Sequence, residues 1–238
     1  MIEYGFRFRA DIDNPNYVTR LKKSYDFNHL QITSSSIDSA ETALKTIGDS
    51  VDLYDLELSY VMHSSMHDVY QSTESWFSFC KKFRIKYLLA DFDDYLISSD
   101  IALHDLMSFI TNAGDLSRTL TCLNIRDHIN YITNLNNIVK MKSELKSDFL
   151  LLAIDIEDLG SSSEFLNSFS YFNECGLLNV KIDIASQGWE TNMALLIDKL
   201  YWLPWKNKPL VFTNPIEDNF ELFFKYNQII ENGNYFYP

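Results

Sequence analysis

One pattern recurs along the whole chain of 238 residues: a short apolar run, a turn, and then a longer amphipathic segment. The short runs predict eight β-strands whose starts lie about 30 residues apart, the length of one strand-plus-helix unit. The predicted strands are Tyr4–Arg9, Phe27–Thr33, Leu53–Met62, Lys86–Asp91, Thr119–Arg126, Phe149–Asp155, Leu177–Asp183 and Pro209–Asn214. Eight strands alternating with helices predict the α/β class and a single (β/α)8 TIM barrel, as one domain over residues 1–238.

Helical periodicity fills the segments between these strands. Apolar residues recur about every 3.6 residues in 76–83 and 129–146. Further helices are predicted at 165–172, where Gly176 marks the stop, and at 191–202 and 220–230. The main alternative is an open doubly wound sheet, but its phosphate-binding glycine motifs, G-x-G-x-x-G and G-x-x-x-x-G-K-S/T, do not occur in the sequence. The barrel is therefore the favoured architecture.

Charge and composition exclude several classes of protein. The formal charge is −13, and an acidic chain without a cluster of cations is repelled by nucleic-acid phosphates. No run approaches the roughly 20 apolar residues of a membrane-spanning helix, and Met1–Tyr4 does not begin a secretory signal. Cys80, Cys122 and Cys175 are far apart and odd in number, which predicts free buried thiols. We therefore expect a cytoplasmic protein with no nucleic-acid or membrane partner.

Polar side chains stand at the end of nearly every predicted strand, where a barrel of this class carries its chemistry. Alternation places residues two apart on one face of a strand, as for Arg7 and Arg9. Taken singly, these residues are explained by ion pairs or by exposure to water, because an unpaired charge inside a barrel is costly. The whole set predicts a polar pocket: Arg7, Arg9, His29, Gln31, Glu57, His63, Asp91, Asn124, Arg126, Asp155, Glu157, Asp158, Lys181, Asp183, Thr213 and Asn214.

Three of these strand ends resemble those of the xylose isomerase-like barrels, a superfamily of sugar isomerases, sugar epimerases and one type of endonuclease. The segment Leu58–Ser65 is similar to the family's strand that ends in a metal-binding His, here His63. The segment Leu152–Asp158 is similar to the family's apolar run followed by Asp-x-x-His, and Asn179–Asp183 to its His-x-Asp ending. The resemblance implies a TIM barrel with its site at the carboxyl end of the strands.

The resemblance also implies a divalent metal held by acids and histidines on strands five to eight, and this chain departs from that pattern. Asn124 stands where the family has a Glu, and Asp158 and Lys181 stand where it has His. Thr213 and Asn214 replace the acid of the eighth strand. An ammonium group repels a cation, so Lys181 argues against the usual metal.

Two kinds of chemistry remain open at the predicted pocket. In the first, Mn²⁺ or Mg²⁺ is bound by oxygen ligands and one His, with candidate ligands His63, Asp91, Asp158 and Asp183, together with Asp155. In the second, no cofactor is bound, Lys181 stabilises an enediolate, and Asp155 or Glu57 moves the proton. The candidate catalytic residues are therefore Glu57, Asp155 and Lys181, and the candidate substrate-binding residues are Arg7, Arg9, His29, Asn124 and Arg126.

Two classes of function follow from this pocket. The first is a sugar or sugar-phosphate isomerase or epimerase that acts on a small polyhydroxy carbonyl compound, whose phosphate or carboxylate the arginines bind. The second is a non-catalytic, metal-free relative that binds a small ligand or a protein partner. An endonuclease role is disfavoured by the acidic charge. The aromatic residues of 234–238 also fit a contact with a second copy of the chain, so a homo-oligomer is a further expectation.

Overall fold

A computed structural model describes residues 3–25, 27–64, 66–92, 100–125, 131–156, 169–181, 188–202 and 208–214. Within them, eight parallel strands each pair with the next strand along the chain, and the last pairs with the first, so the barrel is closed. The strands are β1 (Glu3–Arg9), β2 (His29–Thr33), β3 (Glu57–Ser64), β4 (Tyr87–Phe92), β5 (Leu120–Ile125), β6 (Leu150–Ile156), β7 (Cys175–Val180) and β8 (Pro209–Phe212). This confirms the predicted (β/α)8 TIM barrel.

The described helices lie between these strands along the chain. They are α1 (Pro15–Ser24), α2 (Ile37–Gly48), α3 (Met66–Phe83), α4 (Asp100–Ser117), α5 (Tyr131–Leu145) and α6 (Trp189–Trp202). The first two begin where the sequence supplies a cap: the Asn14 side chain accepts from the Asn16 N–H, and Ser36 Oγ accepts from the Ser39 N–H. Each cap satisfies a backbone donor that has no partner within its helix.

A basic residue in the left-handed conformation follows each of α3, α4 and α5. Arg84, Arg118 and Lys146 have φ angles of 55°, 58° and 50°. This conformation costs a residue with a Cβ roughly 1–2 kcal/mol, whereas a positive charge close to the C-terminus of a helix is favourable. The three residues occupy equivalent positions, so Arg118 is a matched comparison for Arg84.

Two predictions about local structure are wrong. The predicted third strand starts too early, because Leu53–Asp55 forms a 3-10 turn in which the Asp52 carboxylate accepts the Tyr54 N–H, and β3 begins at Glu57. Gly176, predicted to end a helix, lies inside β7. A Cβ at Gly176 would stand 2.5 Å from Leu151 Cδ1, so this glycine allows two strands' side chains to pack closely inside the barrel.

The other predicted helices are only partly described. Residues 169–174 form a 3-10 helix, Phe169–Glu174, which overlaps the end of the predicted helix 165–172. The rest of that segment and the predicted helix 220–230 lie outside the described residues.

Apolar side chains form two cores, one on each face of the closed sheet. Outward-facing residues such as Phe6, Ile32 and Leu178 pack in a large cluster with the helices. A smaller cluster fills the lumen, and it consists of Val61, Tyr87, Leu89, Cys122, Ala153, Leu177 and Val211. The lumen is therefore packed rather than open, as in other barrels of eight strands.

The three cysteines are free and buried, as the sequence predicts. Burial raises the pKa of the Cys122 thiol to about 12, because the thiolate would lose its hydration. A thiol with such a pKa is a poor nucleophile at neutral pH. Among the described residues, no helix is both long enough and apolar enough to span a bilayer.

Candidate functional site

Six polar side chains lie in the carboxyl half of the barrel and form what we call the polar network: Arg7, Gln31, Asp91, Asn124, Asp155 and Asn179. Four of them are the next-to-last residues of β4, β5, β6 and β7. Strand register sets Asp91 beside Asn124 and Asp155 beside Asn179. The alternation that places apolar side chains in the small lumen cluster therefore places these polar ones two residues further along the same strands.

Hydrogen bonds link four members of the polar network in one row. Arg7 Nε donates to Gln31 Oε1 at 2.5 Å, and Gln31 Nε2 donates to Asn179 Oδ1 at 3.0 Å. Asn179 Nδ2 donates in turn to Asp155 Oδ1. Because β2 and β7 are not neighbours in the barrel, the bond from Gln31 to Asn179 crosses the lumen. A guanidinium and a carboxylate thus stand at opposite ends of a row of amides.

Asn124 connects Asp155 to the second carboxylate of the polar network. Its Nδ2 donates to Asp155 Oδ2 at 2.9 Å and approaches Asp91 Oδ1 at 3.4 Å. Asn124 is only 1% exposed, and its Oδ1 has no hydrogen-bond partner among the described residues. Two carboxylates therefore converge on one buried amide group at the carboxyl end of β4, β5 and β6.

The described residues do not fit a divalent metal at this position. Both oxygens of Asp155 accept amide N–H groups, from Asn124 and from Asn179, so neither amide turns an oxygen ligand toward Asp155. Within the described part of the chain, no group of three or more His, Cys, Asp or Glu side chains lies close enough to hold a metal. Of the predicted ligands, Asp91 belongs to the polar network, whereas Asp158, Asp183 and the side chain of His63 lie outside the description.

Arg9 does not join the polar network, although it was a predicted substrate ligand. Its Nη2 lies 2.6 Å from Asp13 Oδ1, and its backbone N–H donates to Asp13 Oδ2 at 2.7 Å. Asp13 is buried, so this pair secures the loop between β1 and α1. The i,i+4 spacing of Arg9 and Asp13 in the sequence could have predicted this ion pair.

His29 and Glu57 lie at the amino end of the barrel, and the expectation that they face the carboxyl-end pocket is wrong. Each is the first residue of its strand, β2 and β3. His29 Nε2 lies 2.8 Å from Ser59 Oγ, its Nδ1 lies 4.0 Å from Glu57 Oε2, and Lys86 Nζ contacts Glu57 Oε1 at 2.5 Å. Burial, helped by the charge of Lys86, lowers the pKa of His29 to about 3. The imidazole is therefore neutral in the folded protein.

Acidification should destabilise the protein through His29. The unfolded chain binds a proton at this residue below pH 6.5, whereas the folded chain does not until about pH 3. The contribution of neutral His29 to the free energy of unfolding is therefore fully present above pH 6.5. Below that pH, the free energy of unfolding falls by about 1.4 kcal/mol per pH unit. Urea unfolding of the wild type should show a loss of about 2 kcal/mol from this group between pH 6.5 and 5. A His29→Gln variant should lack that part of the loss, and an unchanged slope would show that His29 is charged when folded.

Lys181 follows the last residue of β7 and is exposed at the carboxyl end, where its backbone N–H donates to the Ile156 carbonyl at 2.8 Å. Arg126 lies outside the described residues. The structure adds Asn179, to which the sequence assigned no role, and gives Gln31 a defined position. Each of the two lies two positions from a predicted site residue, and so on the same face of its strand; for Asn179 that residue is Lys181. This alternation was the sequence signal that could have identified them.

Comparison with known proteins identifies the fold but no sequence family. No family model matches the sequence, and no curated protein matches it. A xylose isomerase domain protein from Planctomyces limnophilus superposes with a TM-score of 0.67 at 8% identity, over 97% of this chain and 98% of that one. The IolI protein, solved with a bound zinc atom, superposes with a TM-score of 0.62 at 9% identity, over 98% and 96%.

Barrels with other names are similar as well. N-acetylneuraminate lyase from Mycoplasma synoviae superposes with a TM-score of 0.58 at 13% identity, over 98% of this chain and 80% of that one. The chain thus has the fold of the xylose isomerase-like barrels, and the resemblance in fold expected from the sequence is confirmed. At such low identity the likeness concerns the fold alone, and one barrel scaffold supports many reactions.

Proposed function

We propose that the protein is a sugar isomerase or epimerase-like enzyme that acts on a small polyhydroxy carbonyl compound at the carboxyl end of its barrel. The observation that carries this proposal is the convergence of Asp155 and Asp91 on the buried amide of Asn124. A barrel that needed only stability would place aliphatic residues at these lumen positions. A sugar is chosen as the class of substrate by analogy with one neighbour in fold, the xylose isomerase domain protein.

Asp155 is the proton-transfer group in the proposed reaction. Its carboxylate takes the proton from the substrate carbon next to the carbonyl, which leaves an enediolate. The proton on Asp155 exchanges with water, and a proton is then returned from Asp155 to the neighbouring carbon in an isomerase, or from a solvent-derived acid to the opposite face of the same carbon in an epimerase, so the substrate is neither oxidised nor reduced overall. Hydrogen bonds from Asn124 and Asn179 hold the carboxylate in one orientation, which favours transfer along one direction.

Cationic side chains stabilise the charge of substrate and intermediate in this proposal. Lys181, exposed at the same end of the barrel, places its ammonium group at the developing enediolate oxygen. Arg7, half-buried beside Gln31, binds a carboxylate, a phosphate or hydroxyl groups at the other end of the substrate. No step requires a metal.

Solvent exchange is the direct test, because every such reaction passes through loss of a carbon-bound proton. The full chain is incubated in D₂O with aldoses, ketoses and their phosphates of three to six carbons, and deuterium in the sugar is followed by NMR and mass spectrometry. We expect incorporation next to the carbonyl carbon of at least one compound, without added metal and with a chelator present. Binding of a compound without any exchange would contradict the proposal.

The alternative is a non-catalytic barrel that binds a polyhydroxy ligand, and one observation favours it. Amide groups donate to both oxygens of Asp155, an arrangement that also suits a carboxylate with a purely structural role. This alternative predicts that a compound from the same panel raises the melting temperature but never gains deuterium. The exchange experiment therefore separates the two functions.

A further inference from the structure

A cavity of about 350 Å³ opens at the amino end of the barrel, away from the polar network. It lies between the 3-10 turn Leu53–Asp55, the start of β3, and the residues that follow α3. We call it the amino-end cavity. Its lining includes Tyr54, Glu57, Lys82, Phe83, Arg84 and Lys86. The volume suits a small organic molecule, since ligand pockets range from about 300 to 1,000 Å³.

The amino-end cavity is basic in an acidic protein. Three of its lining residues, Lys82, Arg84 and Lys86, carry positive charge, on a chain whose formal charge is −13. Lys82 pairs with Glu41 at 2.6 Å, and Lys86 pairs with Glu57 at 2.5 Å. The cavity wall therefore combines two neutralised lysines with one guanidinium.

Arg84 is the cation that remains for a ligand. Within the described residues it makes no ion pair or hydrogen bond, and its guanidinium lies 4.6 Å from the centre of the Tyr54 ring. A guanidinium that lies over a ring can still offer two parallel N–H groups to a phosphate or carboxylate. Tyr54 is 74% exposed, so its ring also offers an apolar surface to a bound molecule.

A purely structural role accounts for only part of these features. Favourable charge at the end of a helix explains a basic residue after α3, because Arg118 and Lys146 follow α4 and α5 in the same conformation. It does not explain a cavity beside Arg84 or an exposed ring stacked on it. Glu57 does not oppose an anion directly, since one of its oxygens binds Lys86 and the other faces His29.

We propose that the amino-end cavity binds a small organic anion with an apolar or aromatic body. The phosphate or carboxylate of this ligand is held by the Arg84 guanidinium edge, and its body packs on Tyr54 and Phe83. This site is separate from the carboxyl-end pocket and does not depend on the function proposed there.

Phenyl phosphate is a suitable probe, with inorganic phosphate and phenol as its two halves. Titration of the full chain, followed by ¹⁵N NMR and calorimetry, should give a dissociation constant of about 1 mM or below for phenyl phosphate. We expect each half alone to bind at least about tenfold more weakly, because each lacks one of the two contacts. Shifts should centre on the amides around Tyr54 and Ile85.

Arg84→Gln should weaken binding of phenyl phosphate by about tenfold or more, which reflects loss of a charge-assisted pair. Arg118→Gln removes the same charge from the same backbone conformation after α4, and it should leave the affinity unchanged. Equal loss in both variants would show that general charge attracts the probe and would overturn the proposal. So would shifts confined to β6, or a loss in Asp155→Asn, since these would place the probe in the polar network.

Discussion

Replacing Asp155 by Asn should lower the rate of deuterium exchange into the substrate by about 10³-fold at saturating substrate. A positioned general base contributes roughly 10²–10⁴-fold to such a proton transfer. Asparagine keeps the size of the side chain but cannot accept a proton from carbon at neutral pH. The measurement is the initial rate of deuterium incorporation by NMR, with wild type and variant at equal concentration of folded protein.

The Asp155→Asn variant should still fold. The new amide retains one oxygen for one of the two donors, Asn124 or Asn179, while its NH₂ group faces the other. We expect a cost of about 1–3 kcal/mol for that buried mismatch, which urea unfolding would measure. An exchange rate close to that of the wild type would show that Asp155 is not the base.

Asp105→Asn is the matched control for this substitution. Asp105 is an exposed carboxylate on α4, outside the barrel lumen. The control should change neither the exchange rate nor the stability by more than about 0.5 kcal/mol, as is usual for surface positions. A similar loss of rate in both variants would mean that the net charge of the protein, rather than a group in the lumen, controls the reaction.

The sequence predicts the strands well because both faces of each strand pack against apolar side chains. Residues such as Ile154 and Val180 face the helices, while Ala153 and Leu177 face the packed lumen, so a strand reads as a short continuous apolar run. The apolar pattern predicts a strand wrongly where a local hydrogen bond between a side chain and the backbone forms a turn instead. The carboxylate of Asp52 turns the chain at Tyr54, although the surrounding residues are as apolar as those of a strand.

The sequence predicts the placement of polar side chains correctly where alternation alone decides it. Arg7, Asp91, Asn124 and Asp155 each share a strand face with lumen residues, and they meet in the polar network. The expectation for His29 and Glu57 was wrong because the predicted strands began two and four residues too early, at Phe27 and Leu53, so the first residue of each strand was taken for one further along it. An error of that size assigns a side chain at the amino end of the barrel to the carboxyl end.

Contacts across the lumen could not be predicted from the sequence. Gln31 and Asn179 are separated by 148 residues, and their hydrogen bond depends on closure of all eight strands. The register of one strand pair gives no information about a partner on the opposite wall. Asn179 therefore becomes visible as part of the site only when the barrel is closed.

Gly5→Ala should prevent stable folding, because β2 leaves no room for a Cβ at Gly5 of β1. Gly5 pairs in register with His29 of β2 and with Val211 of β8. A Cβ added at Gly5 would lie 2.0 Å from the carbonyl oxygen and 2.6 Å from the Cβ of His29, where no atoms can overlap. Backbone cannot move away without breaking the pairing of two strands, so we expect a loss of about 3 kcal/mol or more. Urea unfolding and the yield of soluble protein measure it.

Gly48→Ala provides the control for the same chemical change. A Cβ at Gly48, the last residue of α2, would lie 3.3 Å from Leu53 Cδ1, the end of a side chain that can shift. Alanine is also the better helix former by about 1 kcal/mol, so this variant should match or exceed the wild type in stability. If Gly5→Ala unfolded at the same urea concentration as Gly48→Ala, β1 and β2 would have to lie further apart at Gly5 than the closed barrel places them.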